Sequence, residues 1–319
     1  MLSRVAEKLY WLGRYVERAE NAARIVMVNA NLLLDLPVGL TPGWQPLIAI
    51  TGSEDRYCAK YPDYNEHNVV SFLVSDLDYP NSILACLNLA RGNARTIRDI
   101  VPREAWERIN ELFLYAQGNL VSGLSRRGRF AYLREIIQGS QTVTGILAGT
   151  MNHDAGYKFL RIGQMLERSD MTTRIIDVRS ETLLPETASE LRPYENIQWI
   201  SVLKSLTAYQ MYRQKMQVRV RRADALKFLF QNEHFPRSFY YCASSVEASV
   251  RQLPRNDTVR RTLSRLKRNA KSASMSALAD DNVQLHDFID RLQIDLARVH
   301  GAVADAYFPS IPPGSGSAH

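Results

Sequence analysis

Residues 13–24 read GRYVERAENAAR and residues 163–174 read GQMLERSDMTTR. Gly13, Glu17, Arg18 and Arg24 recur as Gly163, Glu167, Arg168 and Arg174, and Glu20 recurs as Asp170, at a constant offset of 150 (163 − 13). Self-similarity at a fixed interval is the mark of a repeated structural unit. A second block agrees. FLVSDLDYPNSILAC (72–86) aligns with FLFQNEHFPRSFYYC (228–242), matching Phe72, Leu73, Pro80, Ser82 and Cys86 to Phe228, Leu229, Pro236, Ser238 and Cys242. Trp44 and Trp199 form a further pair between the two blocks. The order of these landmarks predicts two homologous halves, residues 1–150 and 151–310, sharing one core or packing about a pseudo-twofold axis. Residues 311–319 read as a flexible tail.

The local pattern within each half is helical. Leu2, Val5, Leu9, Leu12, Val16, Ala19, Ala23 and Val26 step by three and four, as a buried helix stripe requires. Similar spacing runs through 103–121, 156–178, 195–213, 238–252 and 283–304, and alternating strand patterns are scarce. The thirteen prolines fall between such segments, where they avoid the ~3 kcal/mol of an interior position. Pro80 and Pro236 suit the first turn of a helix, with Ser82, Cys86 and their counterparts in the early turns. The expected fold is all-α, an internally duplicated helical bundle.

Composition narrows the setting. With 45% hydrophobic and 23% charged residues, 319 residues make a globular protein with a sizeable core. No apolar run approaches the ~20 residues of a membrane span, and charges interrupt any signal-peptide core at the N-terminus. Cys58, Cys86 and Cys242 form no CxxC pair and are odd in number, so a reduced, cytoplasmic protein is expected, with the matched Cys86 and Cys242 as small buried packing residues. The charge is uneven: residues 204–271 hold sixteen Lys/Arg against four acids, or +12, leaving −5 for the rest of a chain whose net charge is +7. Such a field suits an acidic partner, a phosphate-bearing ligand or nucleic acid. In VRRTLSRLKRNAKS (259–272), Val259, Leu263, Leu266 and Ala270 take one helix side and the basic residues the other.

Positions 13, 17, 20 and 24 share a helix face, as do 163, 167, 170 and 174. A glycine in mid-helix costs ~1 kcal/mol relative to alanine, so its recurrence implies a close backbone neighbour. Two readings of the charged face stand side by side. In one it is a structural network, with Glu17 and Glu167 paired to arginines of the opposite half. In the other it is an inter-helix ligand site, in which Glu17, Glu20 and Glu167 are the catalytic candidates. Arg14, Arg18, Arg24, Arg168, Asp170 and Arg174 are then the ligand-binding candidates. Metal is not expected there, because the stripe holds no histidine and its arginines repel a cation; an anionic or zwitterionic group fits better. His153 reads as a loop residue, Asp154 as a helix cap and SRRGR (125–129) as a solvated basic loop. No GxSxG, HExxH, P-loop or GxGxxG motif occurs.

MLSRVAEKLYWLGRYVERAENAAR (1–24), WQPLIAITGSE (44–54), YPNSIL (79–84), ARGNARTIRD (90–99) and GYKFLRIGQMLERSDMTTRIID (156–177) carry a resemblance to the bacterial alpha-E family over nearly the whole chain. That resemblance marks Glu7, Glu17, Glu20 and Glu167 as residues to watch. It also implies a setting, since family members occur beside or fused to a circularly permuted ATP-grasp domain, and often near transglutaminase-like peptidases. The expectation that follows is an accessory or partner subunit of an ATP-grasp amide or peptide ligase, contributing charged residues to a composite active site. ATP and Mg would belong to the partner, and no cofactor is expected on this chain. The alternatives are a nucleic-acid-binding protein using 204–271 and a stand-alone small-ligand-binding enzyme using the Glu/Arg stripe.

Overall fold

A computed structural model describes residues 3–35, 43–181, 192–216 and 219–308. Among these the chain is all-α, with sixteen helices and no strand. The first eight are α1 (Ser3–Asp35), α2 (Gln45–Thr51), α3 (Glu54–Cys58), α4 (Glu66–Ser75), α5 (Ile83–Thr96), α6 (Arg103–Gly118), α7 (Leu120–Leu124) and α8 (Arg126–Thr150). The second eight are α9 (Ala155–Glu181), α10 (Arg192–Ser205), α11 (Tyr209–Lys215), α12 (Arg222–Gln231), α13 (Phe239–Val250), α14 (Asp257–Ser272), α15 (Met275–Ala279) and α16 (Asn282–Tyr307). Long α1 and α9 pack on one another more extensively than any other pair. Around them α5 and α8 lie on α1, while α13 and α16 lie on α9. One continuous apolar core runs through both groups. No described helix is long and apolar enough to cross a membrane.

Glycine sets the distance between the two central helices. A Cβ on Gly13 would run into the Leu160 carbonyl of α9, and one on Gly163 into the Tyr10 carbonyl of α1. Both missing side chains are therefore room for backbone, as the mid-helix glycines implied.

Serine caps begin the helices after the two matched prolines. Ser82 Oγ accepts from the Ala85 amide and Ser238 Oγ from the Tyr241 amide, each at 3.1 Å. The first-turn placement of Pro80 and Pro236 is thus corrected: both lie two residues before the cap, because the serine hydroxyl rather than a missing N–H meets the free end. Their carbonyls instead face the Cys86 and Cys242 thiols at 3.5 Å. Both thiols are fully buried, and burial pushes them up to about 12, which suits packing and not nucleophilic chemistry.

Two further expectations change. The periodic run 195–213 is broken into α10 and α11, because Thr207 adopts a left-handed φ of 52° and the Ala208 amide turns back to the Leu203 carbonyl at 2.7 Å. SRRGR is not a solvated loop. Ser125 caps α8, Arg126 to Arg129 form its first turn, and buried Arg129 donates to Glu66 at 2.6 Å and to the Leu124 carbonyl at 2.9 Å. Asp154 does cap α9, accepting from the Gly156 amide at 2.7 Å, and exposed His153 stacks on Tyr157. Pro37, Pro185 and the tail lie outside the described residues.

Gly163→Ala is expected to lower stability by ~1–3 kcal/mol, since overpacking against backbone outweighs the gain in helix propensity. Gly145→Ala, on an exposed position of α8 with nothing close to a new Cβ, should instead raise it by up to ~1 kcal/mol. Urea midpoints of the two variants measure the opposite signs.

Candidate functional site

The repeated glycine, acid and arginine face each other across the crossing of α1 and α9. Arg168 donates from Nε and Nη2 to the two oxygens of Glu17, at 2.9 and 2.6 Å. Arg18 donates in the same way to Glu167, at 2.6 and 2.8 Å. Each Glu-Arg dipeptide therefore gives its acid to the other helix's arginine and takes the other's acid in return. Both forks are bidentate and charge-assisted, the strongest class of side-chain hydrogen bond. The four side chains form a reciprocal clasp in which Glu17 is 1% and Glu167 2% exposed.

Each carboxylate takes one more arginine. Arg237, from the loop before α13, donates to Glu17 at 2.9 Å, to Asn21 at 2.9 Å and to Glu20 at 2.6 Å. Arg14 donates from Nε to Glu167 at 2.7 Å and from Nη1 to the Tyr10 hydroxyl at 3.2 Å. Tyr10 in turn meets His300 Nδ1 at 2.7 Å. Burial and the Arg14 charge lower the His300 pKa, so the neutral ring is favoured. Burial alone would raise both clasp carboxyls. The coulombic pull and hydrogen bonds of Arg168 with Arg237, and of Arg18 with Arg14, outweigh it and hold Glu17 and Glu167 at about 2.

The outer members of the stripe diverge. Glu20 Oε1 accepts from Arg24 Nε and Nη2 at 2.9 and 2.7 Å, and all three residues including Arg237 are buried. Asp170 accepts from Arg174 Nε at 2.9 Å, and this pair is partly exposed. Arg14, Arg18, Glu167, Asp170 and Arg174 line an open cleft of about 160 Å³, whereas Arg24 and Arg168 lie away from it. Glu7, half-buried nearer the start of α1, takes no part in these pairs. Sequence reasoning missed Arg237, Asn21 and Asn81. The last accepts a hydrogen bond from Arg18 Nη1. A signal existed for two of them: Asn81 and Arg237 directly follow the matched Pro80 and Pro236.

A second charged region is the basic face of α14. Val259, Leu263, Leu266 and Ala270 are fully buried, as their spacing predicts. Half of the outward charge is answered within the chain, because Arg265 pairs with Asp295 at 2.9 Å, Lys267 with Glu247 at 2.7 Å and Lys271 with Glu233 at 2.5 Å. Arg260, Arg261 and Arg268 remain exposed around a groove of about 450 Å³. Among the described residues, Asp177, His286 and Asp290 are the group whose atoms lie close enough to hold a cation; they form a hydrogen-bonded cluster at the surface.

Residues 1–308 match the Alpha-E family, described as a predicted alpha-helical domain with a conserved ER motif. Glu17-Arg18 and Glu167-Arg168 place an ER dipeptide at each end of the clasp. An uncharacterized protein of Mycobacterium bovis and two of Mycobacterium tuberculosis strains are each 23% identical over 274 residues, covering 79% of this chain. The match covers 30% of each relative's own length, so the chain spans less than a third of them. No solved structure matches.

Glu17→Gln leaves buried Arg237 and mostly buried Arg168 charged and short of a carboxylate, and is expected to destabilise the fold by ~3–5 kcal/mol. In a double-mutant cycle, Arg168→Met should recover part of that loss; additive losses would show that the pair is not coupled. Both clasp acids have depressed pKa values. Their stabilisation is therefore complete above the unfolded carboxylate pKa of ~4.3 and is lost as pH falls from there towards about 2. Urea midpoints should drop steeply over that window in the wild type and less steeply in Glu167→Gln.

Proposed function

We propose, because the chain belongs to the Alpha-E family, that it is the helical partner subunit of an ATP-grasp amide or peptide ligase. In this reading it docks on the enzyme and lends charged residues to a composite site, while ATP and Mg enter with the partner. One observation carries the assignment. The acids with the best claim to proton transfer, Glu17 and Glu167, are buried, have both oxygens bonded to arginines and are held at about 2. A general base works best with a pKa near the operating pH. The clasp acids are thus assigned to positioning, and bond formation to the partner. That each mycobacterial relative is more than three times the length of the matched segment supports a unit that works with other protein segments.

We further read α1–α8 and α9–α16 as homologous halves, 1–150 and 151–310. Supporting this are the matched order of helices, the paired serine caps and the reciprocal clasp. On this reading the second half has gained the exposed arginines of α14, which form the docking face for an acidic partner. Nucleic acid is the second reading for that face, favoured by the groove among Arg260, Arg261 and Arg268. Weighing against it, α14 spends three of its basic side chains on internal acids.

Mixing the chain with an ATP-grasp protein of the same organism should give a complex on gel filtration and change ATP turnover or product. No complex and unchanged turnover, with both proteins folded, would refute the reading. Reversing Arg260, Arg261 and Arg268 to Glu should weaken the complex by about tenfold or more, as charge mismatch at an interface does. Binding of duplex or single-stranded nucleic acid that falls steeply with salt would favour the second reading instead.

A further inference from the structure

The two corners of the clasp differ in what the preceding loop brings to them. At the Glu17 corner the loop before α13 supplies Arg237, whose guanidinium fills the space between Glu17, Asn21 and Glu20 and is itself buried. At the Glu167 corner the loop before α5 supplies Asn81 in the matched place after its proline. That side chain is shorter, and Arg18 already bonds it. The plug is absent, and a cleft of about 160 Å³ stands open between α1, α2, α9 and the loop before α5. This is close to the ~150 Å³ that holds a benzene-sized molecule, so the cleft admits one functional group and its near neighbours.

The charges in the cleft do not cancel. Arg14, Arg18 and Arg174 contribute +3 and Glu167 and Asp170 contribute −2, leaving +1. Glu167 is saturated by Arg14 and Arg18. Arg174 uses only Nε, on Asp170, and among the described residues its two terminal nitrogens have no acceptor. Gly52 leaves room for that guanidinium. It ends α2 at a left-handed φ of 61°, and a Cβ there would lie 2.8 Å from Arg174 Nη1. Thr51 and Asn81 complete the polar wall.

We infer that this cleft binds the carboxylate end of a small ligand, with Arg174 as its anchoring fork. A planar carboxylate accepts two parallel N–H bonds from a guanidinium. Its single charge matches the surplus of +1. A phosphate group carries about −1.5 to −2 at neutral pH and would face Asp170 and Glu167 with charge left over. The inference deepens the ligase-subunit reading, since a carboxylate is the group such an enzyme activates. Binding belongs to this chain alone, however, so its failure and that of the partner role are separately observed.

The test is side-chain NMR of the full chain, following the Arg174 Nε–H resonance during titration with acetate and, separately, inorganic phosphate at constant ionic strength. Acetate should shift it saturably and in preference to phosphate. Asn81→Arg, which copies Arg237 into the open corner, should weaken acetate binding by at least about tenfold. Arg174→Gln removes the fork at a side chain one-third exposed, so the fold survives. In that variant the neighbouring Arg14 and Arg18 resonances should no longer respond. A shift that grows without saturating, or a saturable response of Arg14 and Arg18 that persists in both variants, would overturn the site. Preference for phosphate would overturn the carboxylate assignment.

Discussion

Two buried carboxylates held by two guanidiniums from the opposite helix govern how this protein is put together. A charge taken out of water is tolerated only when its hydrogen bonds are replaced, and removing one partner strands the rest. Glu17 and Glu167 meet that condition through Arg168, Arg18, Arg237 and Arg14, with every carboxylate oxygen engaged. The clasp also dictates backbone geometry. The forks close where α1 and α9 nearly touch, and Gly13 and Gly163 are what lets the two backbones approach. Apolar residues could hold two helices together equally well, but a planar fork bonds in one register. The ion pairs therefore fix which turn of α1 opposes which turn of α9.

Function enters where the two corners stop matching. One side is closed by Arg237 and reads as solid core. Its counterpart carries Asn81, and Arg14, Arg18, Asp170 and Arg174 border an open cleft. The loop residue, Arg237 at one corner and Asn81 at the other, helps to separate a structural network from a candidate binding site. The two descriptions of the charged stripe are thus divided by corner: Arg24 and Arg168 belong to the network, while Arg14, Arg18, Asp170 and Arg174 border open space. The basic helix α14 shows the same economy, with Arg265, Lys267 and Lys271 answered by internal acids and Arg260 and Arg268 left outward.

Helical class and most of the long helices could be read from the chain, because they depend on local periodicity, and the repeated spacing placed the charged stripe on a helix in each part of it. The apolar steps of α1 and α14 need no tertiary information, and the recurrence of glycine, acid and arginine 150 residues apart pointed to a close backbone neighbour and offered the exchange of ion pairs as one of two readings. The break at Thr207 and the burial of Arg129 were hidden, since a left-handed turn at threonine has no sequence signature and Arg129 depends on Glu66, 63 residues away. The place of Arg237 after the matched Pro236 was visible, but its reach was hidden for the same reason: Glu17 lies 220 residues away. The amino-acid sequence alone determined that two like helices each carry a glycine, two acids and arginines along one face, because that follows from spacing. Which corner of their crossing would be filled and which left open was decided only in three dimensions, by whether a loop side chain was long enough to reach a buried carboxylate.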